Sequence, residues 1–173
     1  MKLYKVKIPV IAREVVESLC NEGAIEVAME GRQEAELDLV AIMEEYLRRD
    51  NEVREAVREH MAQFSVPYDQ YGKIRTQIAE RYGHPTGDEV QRFLARQIVE
   101  NFMISRWVDE VFAEDKDLFK RVREIIEKND VDERALRTEA QEQIRNVAEG
   151  TMDYEIALSK AMRDVKKRHG LLQ

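Results

Sequence analysis

From Arg32 to Phe64 the chain contains neither glycine nor proline. That unbroken stretch constrains the fold more than any other feature. Glycine costs about 1 kcal/mol and proline about 3 kcal/mol in a helix interior, whereas strand-rich folds need turn-formers every few residues. The whole chain holds only seven Gly and three Pro, so an all-α fold with almost no β structure is expected. Within the stretch, Leu39, Met43, Tyr46, Val53, Val57 and Phe64 follow alternating steps of three and four, with Asp50 on the same seam. This spacing suits a local coiled coil and a projecting helical hairpin. It leaves two forms open, one very long helix or two helices bending at Asp50-Asn51.

Other helices follow from the same periodicity. Ile11, Val15 and Leu19 form an apolar stripe on a helix opening near Pro9, a residue suited to the first helical turn, and Gly23 stops it. After the break at Ser65-Val66-Pro67, Tyr71, Ile74, Ile78 and Tyr82 mark a short helix that ends at Gly83. Thr86 and Glu89 have capping-box spacing ahead of the most apolar helix, from Val90 to Phe112 and including Leu94, Ile98, Phe102 and Trp107. Acidic residues from Glu114 to Asp117 suit the start of another helix. Asp130 with Glu133 reads as a second cap. Gly150-Thr151 sets off a last helix ending at Gly170.

The pattern repeats itself. Ala12-Arg13-Glu14-Val15-Val16-Glu17 lies over Ala95-Arg96-Gln97-Ile98-Val99-Glu100, and the segments close on Arg81-Tyr82-Gly83 and Arg168-His169-Gly170. Residues 1–83 and 84–173 are therefore expected to be two divergent helical repeats sharing one core. The first helix of each is apolar enough to be buried against the other.

The opening Met1-Lys2-Leu3, Ile11-Ala12-Arg13-Glu14-Val15-Val16, Glu44-Glu45-Tyr46-Leu47 and Asn51-Glu52-Val53-Arg54-Glu55 together resemble the bacterial family called domain of unknown function 507. The resemblance spans nearly the whole chain and suggests a tandem-repeat member. It implies a four-helix base with internal pseudo-twofold symmetry and two projecting helical arms, and it implies no activity.

A formal net charge of −7 disfavours whole-protein attraction to nucleic acid or anionic membranes. Lacking a secretory leader pattern or a long apolar run, the chain reads as soluble and cytoplasmic, with no membrane partner. The single cysteine, Cys20, cannot form an intrachain disulfide and reads as a small apolar residue on its stripe.

Catalytic signals are missing from the pattern. His60, His84 and His169 lie far apart, and none is preceded three residues earlier by the glutamate that a bundle di-metal site requires. No phosphate loop or nucleophile elbow occurs. Catalytic, cofactor and metal residues are accordingly assigned to no position, and no cofactor is expected. Tyr68, Tyr71 and Tyr82 interleave with Lys73, Arg75 and Arg81, while Lys160, Arg163, Lys166, Lys167 and Arg168 crowd the last helix. Such clusters can bind single-stranded nucleic acid, or merely solubilise a helix face and complement its dipole. These eight cations are the candidate macromolecule-binding residues. The residues themselves name no function. The leading reading is a non-enzymatic interaction or scaffold protein with a protein partner. Nucleic-acid binding through the basic terminal helices is the alternative, and an enzyme without a recognisable motif ranks third. A continuous basic stripe would favour nucleic acid, and cations paired to glutamate would favour protein.

Overall fold

The structure, a computed structural model, describes residues 1–172. Its elements in order are α1 (Ile8–Asn21), β1 (Ile25–Glu26), α2 (Arg32–Gln63), α3 (Tyr71–Arg81), α4 (Glu89–Phe102), β2 (Glu110–Val111), α5 (Asp115–Lys128), α6 (Glu133–Gln143) and α7 (Met152–Arg168). The all-α class holds.

Helices α1, the first half of α2, α4 and α5 form a four-helix base. Its neighbours run α1–α2–α4–α5 and back to α1. Ile11, Val15, Leu19, Leu94, Ile98 and Phe102 all lie in its single core, with Leu39, Met43, Leu118 and Ile126. Burying each such side chain contributes roughly 1.5–3 kcal/mol. Helices α1 and α4 stand diagonally across this ring, so their stripes meet in its centre while α2 and α5 flank both.

Two helix pairs leave the base, each with a core of its own. The first arm is the second half of α2 against α3, around Val53, Val57, Ile78 and Ala79. The second is α6 against α7, around Leu136, Ala140, Tyr154, Leu158 and Val165. Tyr4 and Leu171 also belong to this second core. The amino-terminal segment thus joins base to arm, with Leu3 in the base core and Tyr4 in the arm.

Of the two forms left open for α2, the structure takes the continuous one through Asp50-Asn51, where Asp50 finds charged partners in Arg54 and Arg75. Other sequence expectations are corrected. Phe64 leaves the seam and is exposed, as is Tyr82. The anticipated Thr86 cap does not form. Helix α4 begins at Glu89, and its N-cap Asp88 makes no side-chain cap bond. At α6 the cap is Asp132, which accepts from the amides of Arg134 and Ala135, while Asp130 turns back to accept from Val131. Helix α4 also stops at Phe102 rather than Phe112. Beyond it, the Ser105 hydroxyl donates to Asp38 at 2.7 Å, Trp107 packs on Gly31, and Val111 pairs antiparallel with Ile25. This two-residue ribbon ties the α1–α2 connection to the α4–α5 connection. Thr151 does cap α7, its hydroxyl accepting from the Tyr154 amide at 3.1 Å.

Candidate functional site

On α2, residues Tyr46, Asp50, Val53 and Val57 share the face that turns inward. Asp50 therefore falls where the base core gives way to the core of the first arm. A carboxylate buried there needs charged or hydrogen-bonding partners. It has three. Arg54, one turn on, reaches it at 2.5 Å, and Arg75 of α3 donates to it at 2.9 Å. The His84 ring nitrogen Nε2 lies 3.4 Å away, without an aligned hydrogen bond.

Local backbone geometry delivers His84. Gly83 adopts a φ of 58°, the left-handed region that glycine enters without strain, and the His84 amide then donates to the Ala79 carbonyl at 2.9 Å. The ring stacks on Tyr46 with centroids 4.8 Å apart. Burial pushes the His84 pKa down, against the pull of Asp50. Burial, and next the charge of Asp50, raise the Tyr46 phenol to about 12. Its hydroxyl donates to the Pro85 carbonyl at 3.4 Å.

Above Asp50 opens a cleft of about 430 Å³ between the root of the first arm, the amino-terminal segment and the α3–α4 linker. Lys2, Arg54, Arg58 and Arg75 line it, with Asp50 as its one carboxylate. Leu3, Leu47 and Val90 supply apolar wall. On the far side of Lys2, Glu133 at the start of α6 gathers the Tyr4 hydroxyl, Lys166 at 3.2 Å and Lys2 at 4.0 Å. Lys2 and Lys166 also lie over the Tyr4 ring, at 5.3 and 5.6 Å.

The eight cations singled out from sequence divide between two arms. Lys73, Arg75 and Arg81 belong to α3, and Lys160, Arg163, Lys166, Lys167 and Arg168 to α7. Arg75 is committed to Asp50, Lys166 to Glu133, and Arg168 to Glu139 at 2.7 Å. Lys73, Arg81, Lys160, Arg163 and Lys167 are exposed. Sequence reasoning missed Lys2, Asp50, Arg54, Arg58 and His84 as a group. One signal was available, since Asp50, Arg54 and Arg58 recur at steps of four on one helix face.

Among the described residues, no three histidine, cysteine or carboxylate side chains gather in a way that could hold a metal ion. No helix there is long and apolar enough to cross a membrane.

Fold and cleft define a class: an all-α protein with a cation-lined cleft where one helical arm leaves its base. The family model described as "Protein of unknown function (DUF507)" matches residues 1–171, and the chain belongs to that family. The match is one span over the chain, so the expectation of a tandem-repeat member is not borne out. No curated protein matches the chain.

Proposed function

We propose that this chain is a non-enzymatic interaction protein whose two arms grip a protein partner through their tips. One observation carries the reading: large apolar side chains stand exposed at the turn of each arm. Phe64 and Tyr68, at 60% and 83% exposure, occupy the α2–α3 turn. Met152 and Ile156, at 76% and 62%, open α7 just after the α6–α7 turn. Aromatic and methionine side chains are favoured at protein interfaces. The pairing of Lys166 and Arg168 with carboxylates supports a protein over a nucleic-acid partner for the second arm, because paired cations release few counterions.

Photo-cross-linking tests this. With benzoylphenylalanine in place of Tyr68 or Ile156, irradiation in cell extract should give discrete protein adducts that survive nuclease. The same probe in place of Val10, on the base, should not give them. Nuclease-sensitive adducts, or equal labelling from all three positions, would overturn the reading.

A further inference from the structure

We infer that the cleft above Asp50 binds a phosphate group carried on a small organic body, held by Lys2, Arg54, Arg58 and Arg75.

Charge gives the first argument. The whole chain is acidic, at −7, yet this cleft sets four cations against one carboxylate, an excess of three positive charges. Asp50 is already shared by Arg54 and Arg75. Glu133, the carboxylate nearest Lys2, is shared with Lys166 and the Tyr4 hydroxyl. For Arg58, no carboxylate lies within 4.0 Å among the described residues. Like charges gathered in a concave site repel unless an anion joins them, and a concave wall focuses their field on whatever enters.

Geometry gives the second. Asp50 is 4% exposed and fixes one edge of the Arg54 and Arg75 guanidinium groups. Each guanidinium has five N–H donors in a planar fork, so both keep donors beyond those that Asp50 uses. Guanidinium forks match the oxygens of a phosphate, and holding them in advance reduces the ordering cost of binding. At about 430 Å³ the cleft lies within the usual size of small-ligand sites. Leu3, Leu47 and Val90 offer apolar wall for an organic body, and Tyr71 offers a ring. A local cleft of this size, bounded by the amino-terminal segment and the α3–α4 linker, suits one phosphorylated small molecule better than a polyanion, which needs a continuous track.

The state of Lys2 agrees. Burial lowers its pKa, and Lys166 and Arg54 push the same way against Glu133. A bound anion would offset the repulsion from Lys166 and Arg54.

The test is isothermal titration of the full chain, tagged at its carboxyl end, with inorganic pyrophosphate, adenosine 5′-monophosphate and adenosine. Pyrophosphate and the monophosphate should bind saturably, and adenosine should not. Pyrophosphate binding without the monophosphate would contradict an organic body. Arg58→Gln and Lys2→Gln leave the Asp50 pairs in place, so their circular dichroism should match the parent. Each should weaken monophosphate binding at least about tenfold, as expected for loss of one charge-assisted contact. The inference fails if neither anion binds below about 10 mM, if adenosine binds as well as its monophosphate, or if both variants bind like the parent. A 5′-phosphorylated oligonucleotide that outcompetes the monophosphate by more than about a hundredfold would also overturn it in favour of nucleic acid.

Discussion

The two arms solve the same problem, how to leave a base, by different means. The first continues a base helix. Helix α2 runs unbroken from the base core into the arm core, and the junction is closed by an ionic cluster around the buried Asp50. The second begins anew, because α5 ends at Lys128 and α6 starts only at Glu133. Its junction is polar. The Asn129 amide donates to Glu14 at 2.8 Å and to the Ile125 carbonyl at 2.9 Å. Its hold on the base comes instead from Tyr4, inserted from the amino terminus. Gly170, at a φ of 66°, lets the Leu171 amide bond the Lys166 carbonyl and returns Leu171 to the same core. A continuous helix therefore positions one arm through its backbone, and a side-chain plug positions the other. The first should keep its orientation on loss of any one side chain, and the orientation of the second should depend on one.

Substitutions can break this contrast. The largest effect is expected from Tyr4→Ala, which removes a buried ring and the hydroxyl bound to Glu133. It should cost about 3–5 kcal/mol. Native-state hydrogen exchange should accelerate across α6 and α7 and remain unchanged in α3.

Next comes Asp50→Ala, which leaves Arg75 and Arg54 without their shared carboxylate. Both arginines are about a third exposed, and water can take over part of their solvation. The cost should be about 1–3 kcal/mol, read as faster exchange in α3 with α7 unchanged. A uniform effect on both arms would mean that their cores are not independent.

Asp132→Ala removes the side-chain cap of α6 and should cost about 1 kcal/mol, confined to the second arm.

The smallest effect concerns pH. Burial depresses the His84 pKa below its ordinary 6.5, so below that value the unfolded chain binds the proton more readily than the folded one. Stability contributed by neutral His84 is present above pH 6.5 and is lost as pH falls through and below it. Protection of the α3 amides, taken relative to their intrinsic exchange rates at each pH, should fall as pH drops from about 7.5 to about 5.5, and His84→Gln should flatten that dependence. No change in that protection over this range would contradict a His84 pKa depressed by burial.

Much of this contrast was legible in the sequence, and its most informative residue was left undecided. Apolar spacing placed Ile11, Val15, Leu19, Leu94, Ile98 and Phe102 in one core, and the helix start expected near Asp130 and Glu133 falls close to the start of α6 at Glu133. Asp50 left a bend open, since a lone aspartate on an apolar seam disfavours helix. What separates the two sites is distant in sequence, because Arg75 and His84 come from α3 and the linker beyond it to satisfy Asp50. Asn129 meets a surface glutamate instead. Periodicity reports which face a residue occupies and not what arrives opposite it. The β1–β2 ribbon escaped for the same reason, as two residues per strand carry no alternation to detect. Lys2 and Tyr4, in a short segment before the first helix, gave no periodic signal at all. Cation clustering on α3 and α7 was visible, but the carboxylates that engage Arg75, Lys166 and Arg168 were not.

Distances between spin labels test the difference in attachment most directly. In a Cys20→Ser background, Glu17→Cys on the base would be paired with Gln70→Cys at the first arm's tip, or with Glu155→Cys near the second's. The account predicts narrow distance distributions for both pairs in the parent chain. After Tyr4→Ala, the 17–155 distribution should broaden while the 17–70 distribution stays narrow. A broad 17–70 distribution in the parent chain, or a 17–155 distribution unmoved by Tyr4→Ala, would contradict it.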